Sequence, residues 1–246
     1  MDPKEEFYGY GIKLHSKIIQ VDKLKGHHIR RHYKEKHITW QTVLMLIQTS
    51  VPEKSTIVID SQEGIFVVKQ TIKRLFKQLD NIRPIGRSTT MKRVAHFNNI
   101  KEYIPYVFLG LSLSPTMAIN QKRLIWFASE KVTHCEPGPE LGTLIIRFGD
   151  FDLPIQLKMS HQFLQNRQND AITIQKFGKL VGNLILMSVV DEKTPYTVRQ
   201  LEEGKKMLEE FQHFARKLDI EQAFKIIGYQ ATDEEIERIV KKIIGN

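Results

Sequence analysis

Cysteine is almost missing from this chain of 246 residues, which carries one, Cys135. A lone thiol excludes an internal disulfide and any metal site built from several thiolates, and it suits a reducing compartment. Long apolar runs are missing as well. The longest, Tyr103 to Leu113 and Leu180 to Val190, hold about 11 residues each, and a membrane-spanning helix needs about 20. The opening residues Met1 to Glu6 are polar and acidic, unlike the basic and then apolar pattern of a secretory leader. No low-complexity run, internal repeat, Walker-type phosphate loop or spaced glycine triplet for a dinucleotide stands out. These gaps lead to the expectation of a soluble cytoplasmic protein with no membrane partner and no cofactor.

What is present is a basic excess. The formal net charge is +9, and 41% of the residues are hydrophobic, enough for a packed core. The charge is uneven. Lys69, Lys73, Arg74, Lys77, Arg83, Arg87, Lys92, Arg93 and Lys101 face the single acid Asp80 between Lys69 and Lys101. The stretch from Asp191 onward is slightly acidic, with 10 basic and 12 acidic residues. A one-signed field of this kind suits a polyphosphate, because each neutralised phosphate releases condensed counterions. Gly86, Ser88, Thr89 and Thr90 add backbone and hydroxyl donors, and Ser88 to Thr90 read as a flexible loop unless phosphate orders them. The blander alternative is a solvated charged surface.

Hydropathy patterning predicts an α+β chain with an antiparallel, β-rich body. Gly9 to Asp22 reads as a strand or strand pair, and Lys23 to His37 as a basic loop or exposed hairpin. Thr42 to Ile47 is a short buried helix or strand. Ser55 to Ile59 and Ile65 to Val68 form a hairpin around Ser61-Gln62-Glu63-Gly64. Thr71 to Leu79 is an amphipathic helix with Lys73, Arg74 and Lys77 on its polar face. Strands are expected at Tyr106 to Leu113, Arg123 to Val132, Thr143 to Phe148 and Leu153 to Met159. Pro115-Thr116 reads as a turn. Helical spacing begins at Asp170. The tail carries a helix start at Thr194-Pro195, capping boxes at Asp219 with Gln222 and at Thr232 with Glu235, and a C-cap at Gly228. The organisation is therefore a basic β-rich body over 1–190 and a helical C-terminal subdomain over 191–246.

Catalytic constellations are sparse. His28 and His32, four apart, would chelate a metal from one helix face, but four Arg or Lys residues crowd them. Asp60, Glu63 and Lys69 invite a metal-dependent nuclease or DNA-processing enzyme, yet Val67 stands where an acid two residues before the lysine is needed. His134 and Cys135 are adjacent, which on a strand puts their side chains on opposite faces. No catalytic and no metal-binding residue is assigned, and the protein is expected not to be an enzyme. Trp126, Phe127, Phe108, Phe148 and Phe163 read as core.

One order of residues is familiar. Ser114-Pro115-Thr116 is followed ten residues later by Trp126, which opens a strand. Upstream stand Gly86-Arg87 and then Ile104-Pro105. Downstream come Leu144 to Phe148, Leu153-Pro154-Ile155, Met159-Ser160-His161 and Leu164-Gln165-Asn166. This collinear set resembles the competence transcription factor (ComK) family of Gram-positive bacteria, over roughly Ile57 to Leu180, about half the chain. Arg167 stands where that family has Gln, and His161 replaces a Tyr. The family's cysteines are missing, and the helical tail has no counterpart.

The resemblance implies a DNA-binding transcription activator that binds paired A/T-rich boxes of duplex DNA, largely through the minor groove, as a homo-oligomer. A proteolytic adaptor and RNA polymerase are its implied partners, with a nucleoid-associated place in the cytoplasm. A narrow A-tract groove concentrates negative potential and attracts Arg. The candidate DNA-binding residues are Lys73, Arg74, Lys77, Arg83, Gly86, Arg87, Lys92 and Arg93. Only Gly86 and Arg87 match the family residue by residue; the others rest on charge. An RNA-binding or protein-adaptor module is a third alternative, beside the nuclease.

Overall fold

A computed structural model describes residues 10, 12, 17–49, 55–81, 88–108, 110–116, 124–189 and 198–244. In chain order its first elements are β1 (Ile19–Gln20), β2 (His32–Tyr33), β3 (Val43–Gln48), β4 (Thr56–Asp60), β5 (Gly64–Val68), α1 (Ile72–Asn81) and α2 (Ser88–Phe97). Then come β6 (Tyr106–Phe108), β7 (Leu111–Pro115), β8 (Ile125–Phe127), β9 (Val132–Pro137), β10 (Leu144–Phe148) and β11 (Phe151–Leu157). Three helices follow, α3 (His161–Val189), α4 (Val198–Ile226) and α5 (Asp233–Ile244). The class is α+β. A seven-stranded sheet runs β2-β5-β4-β3-β8-β7-β6, and a four-stranded sheet runs β1-β11-β10-β9. Short edge strands β1 and β2 pair in parallel, with β11 and β5 respectively, and the other pairings are antiparallel.

The hairpin of β4 and β5 shows how local chemistry sets these elements. Both strands are β-branched runs buried along their whole length. Buried Asp60 closes the turn. Its Oδ1 accepts the backbone N–H groups of Gln62 and Glu63, both at 3.0 Å, and its Oδ2 accepts the Thr42 hydroxyl at 2.7 Å. Gly64 follows at φ +79°, and a Cβ there would lie 2.8 Å from the Tyr10 carbonyl oxygen. Left-handed backbone pressed against another chain segment leaves room for no other residue type.

Several sequence-based expectations need correction. Of the two alternatives open for Thr42 to Ile47 the strand is the one that forms, β3, with side chains packed on both faces of a central position in the sheet. The single strand expected at Tyr106 to Leu113 is two strands, since Gly110 at φ +89° turns the chain between them. Arg123 to Val132 is likewise broken, by a 3₁₀ turn at Ser129–Lys131. Pro115 ends β7 instead of making a turn, and Thr116 N–H donates to the Ile125 carbonyl at 2.9 Å. Ser88 to Thr90 open helix α2, where a loop was expected. Helix α3 begins at His161, nine residues before the periodicity was legible at Asp170. Asp219 lies inside α4 and starts no helix. Thr194-Pro195 lies outside the described residues.

Most buried side chains form one core shared by both sheets and α1. At its centre Trp40 stacks on Tyr106 with centroids 5.4 Å apart, and Phe76 of α1 packs on Tyr106 and Trp126, each at 4.7 Å. Trp126, Phe127 and Phe148 are buried, as expected of core aromatics, and Phe108 and Phe163 are partly buried against the same core. A second, smaller cluster joins Val94 and Ala95 of α2, Val107 of β6, Ala171, Ile174 and Phe177 of α3, and Phe211 of α4. Tyr106 and Val107 are neighbours on one strand, so they point to opposite faces of the sheet. Helices α1 and α2 therefore lie on opposite sides of edge strand β6.

The turn after β8 holds charge inside the protein. Lys131 Nζ donates to the carbonyls of Trp40, Gln41 and Val43 at 3.1, 2.6 and 3.3 Å. The Glu130 carboxylate accepts the Ser112 hydroxyl with one oxygen, while the other is buried without a partner. Burial pushes the Glu130 pKa up. A carboxyl raised in this way supports folding fully below the ordinary carboxylate range and loses that support as pH rises through its folded value. Glu130→Gln is expected to melt with the wild type at pH 4 and a few degrees above it at pH 7 to 8. Equal melting temperatures across that range, in paired thermal scans, contradict the assignment.

The C-terminal helices α4 and α5 form a hairpin. The end of α4 is capped by Gly228 at φ +73°, with Tyr229 N–H donating to Phe224 O at 2.9 Å and Gly228 N–H to Lys225 O at 3.3 Å, a Schellman pair. Thr232 and Glu235 form the expected capping box: Glu235 N–H donates to Thr232 Oγ1 at 3.3 Å, and Thr232 N–H donates to Glu235 Oε2 at 2.8 Å. His213 and Lys217 of α4 pair with Glu237 of α5 at 3.0 and 3.4 Å.

Candidate nucleic-acid interface

Helix α1 is capped by Thr71, whose Oγ1 accepts Arg74 N–H at 3.3 Å. Its apolar positions Ile72, Leu75 and Leu79 are buried, which turns Lys73, Arg74 and Lys77 outward. Spacing of three and four residues is what separates those two faces. The helix sits beside β2 and the basic segment that carries it. Strand β2 docks on β5 through Val67 N–H to Arg31 O and Lys69 N–H to Tyr33 O, both 2.9 Å. Buried Gln70 clasps the two parts, in the amide orientation that satisfies it. Its nitrogen donates to Lys36 O at 3.3 Å, and its oxygen accepts from Arg74 Nε at 3.3 Å and Gln78 Nε2 at 2.9 Å.

Two cationic segments distant in sequence thus share one edge of the large sheet. Ion pairs knit it: Arg74 with Glu35, and Lys36 with Glu63. Lys34, Lys69, Lys73 and Lys77 are exposed with no acidic partner among the described residues. Arg30 and Arg31 are exposed beside them in the chain, and the Arg31 guanidinium donates to Glu63 O. The two pairs orient part of the charge, while the free lysines supply mobile cations suited to phosphate.

The remaining candidates are elsewhere. Arg83, Gly86 and Arg87 lie outside the described residues. Lys92 and Arg93 belong to α2, on the other side of β6 from α1. Lys92 is exposed, and Arg93 pairs with Asp219 of α4. A charge run continuous in sequence is therefore divided between two places. Sequence reasoning missed Glu35, Gln70 and Asp219, and it missed helix α2. The spacing of Met91, Val94 and Ala95 held the signal for that helix. The three polar partners had none, because each meets its cation only through the tertiary fold.

The weighed catalytic groupings do not assemble. Asp60 spends its carboxylate on its own turn, as described, and Glu63 pairs with Lys36. His28 belongs to a 3₁₀ turn and His32 to a strand, so they share no helix face, and the His32 ring bonds to Ile29 O at 2.8 Å. His134 and Cys135 lie on β9, the outer strand of its sheet, beside a groove of about 300 Å³ shared with His161 and Gln165 of α3. Among the described residues no three His, Cys, Asp or Glu side chains are grouped to hold a metal ion. Among them, too, no helix is long and apolar enough to cross a membrane. Comparison with protein-family models, with curated proteins and with solved structures finds no match.

Proposed function

We propose that this protein is a DNA-binding transcription activator of the competence transcription factor kind, which recognises A/T-rich duplex DNA largely through the minor groove. The observation that carries the proposal is the edge formed by β2, β5 and α1, where exposed Lys34, Lys69, Lys73 and Lys77 gather without an acidic partner among the described residues. Cations of one sign on a rigid edge match the regular phosphates of a duplex and release its counterions. The resemblance over roughly Ile57 to Leu180 supplies the A/T preference and the activator role. It also supplies assembly as a homo-oligomer, nucleoid association, and RNA polymerase and a proteolytic adaptor as partners.

Titration of the purified protein against A/T-rich and G/C-rich duplexes at two salt concentrations tests this. Tight binding that weakens steeply with salt and prefers A/T supports the proposal. Equal or no binding to the two duplexes overturns it. Tighter binding to single-stranded RNA would replace it with an RNA-binding function. Divalent-metal-dependent cleavage lost on Asp60→Ala would replace it with a nuclease.

A further inference from the structure

We infer that α4 is a built-in competitor for DNA, in which the Asp219 carboxylate holds the Arg93 guanidinium that a backbone phosphate would otherwise take. The inference rests on the DNA-binding proposal above and concerns a second DNA contact at α2, separate from the β2, β5 and α1 edge and on the other side of β6.

Helix α2 presents two adjacent cations. Lys92 is exposed with no acidic partner among the described residues, and Arg93 donates through Nη2 to Asp219 Oδ1. The two partners are 126 residues apart in sequence, so only the docking of α4 brings them together. That docking has its own apolar seat. Phe97, one turn beyond Arg93, packs on Phe211 and Phe214 of α4 with centroids 5.5 and 5.6 Å apart, and on Phe177 of α3 at 5.7 Å. The aromatic contacts hold α4 along α2, and the carboxylate then lands on the arginine.

Carboxylate and phosphate are alternative acceptors for the same guanidinium fork. A phosphate that takes Nη2 must displace Asp219, and the carboxylate also cancels charge that a phosphate on the other nitrogens would meet. The side chains of Arg93 and Asp219 are 38% and 50% exposed, so solvent reaches the pair and weakens it. A weak pair is one that a duplex can displace. The apparent affinity for DNA then carries the fraction of molecules in which Arg93 is free. Asp219 thereby lowers affinity without touching DNA, and any partner that draws α4 away from α2 raises it.

Asp219→Asn removes the charge and keeps the size of the side chain. It is expected to tighten duplex binding about three- to fivefold at low salt, the range set by an exposed ion pair. The gain shrinks as salt rises. In an Arg93→Gln background the same substitution is expected to give no gain. Glu209→Gln, an exposed carboxylate on the same helix, is the control for general charge removal and is expected to leave affinity unchanged. Full-length variants are used, with thermal melts to confirm folding. No gain from Asp219→Asn while the wild type binds with steep salt dependence overturns this inference alone. An equal gain from Glu209→Gln, or a gain that survives Arg93→Gln, overturns it as well. A wild type that binds no duplex overturns the DNA-binding proposal, and this inference with it.

Discussion

Lys73→Glu combined with Lys77→Glu is expected to lower duplex affinity at least about 60-fold at 0.1 M salt. Counterion release makes each phosphate contact worth about 0.9 of a logarithmic unit at that concentration, roughly eightfold, and two contacts multiply. The slope of log affinity against log salt is expected to fall by about 1.8. Both lysines are exposed on α1 without ion-pair partners among the described residues, so melting temperature is expected to stay close to that of the wild type. Lys241→Glu, on exposed α5, is the matched control and is expected to bind normally. Fluorescence anisotropy at four salt concentrations reads both numbers. Unchanged affinity with unchanged slope would remove α1 from the interface.

Arg167→Met is expected to cost about 3–5 kcal/mol of stability, because it breaks a buried ion pair and strands the partner. Arg167 is 8% exposed. Its guanidinium donates to the carbonyls of Glu102 and Tyr103 at 3.2 and 2.9 Å, and it pairs with Asp170 at 2.9 Å. It also lies against the rings of Tyr103 and Phe163, at 5.0 and 4.9 Å from their centroids, and the two rings pack edge to face at 5.2 Å. Tyr103 is held at φ +51°, a backbone state that non-glycine residues adopt only when their surroundings impose it. Arg167 holds both the carbonyl and the ring of Tyr103, three residues before β6. Methionine keeps the volume of the stem but leaves Asp170 and two carbonyls without their donor. In a chain of this size each kcal/mol moves the melting temperature by about 2–4 °C, so the expected drop is on the order of 10 °C. A variant that melts within 2 °C of the wild type would show that this cluster is not what holds the α2–β6 connection.

The position has a further use. A Gln at this position could not serve two carbonyls and a carboxylate at once. The cation, its acid Asp170 and the two adjoining rings form one unit in this chain.

Local signals were legible wherever one residue type decides the geometry. The β4–β5 hairpin, the amphipathic face of α1, the capping box at Thr232 and the C-cap at Gly228 all depend on side chains within a few residues of one another. The failures share a cause too. The Asp219 with Gln222 pattern has the right types for a cap, yet α4 runs through it to Ile226 and the Asp219 carboxylate goes to Arg93 of α2. Short strands β6 and β8 could not be separated from their flanks by periodicity, since a few residues span less than two alternations. Helix α2 hid behind its own basic residues.

By itself the sequence determined the class of the chain, the basic excess, the lone thiol, and each element whose caps and periodicity are local. Those properties are additive along a chain and need no partner. Only the tertiary structure decided where the charge goes. It joined β2 to α1 through Gln70, put α1 and α2 on opposite sides of β6, and set Asp219 against Arg93. Charges tens of residues apart become neighbours only when burial of apolar faces forces their elements together. That burial depends on the packing of the whole molecule and on no single segment of it.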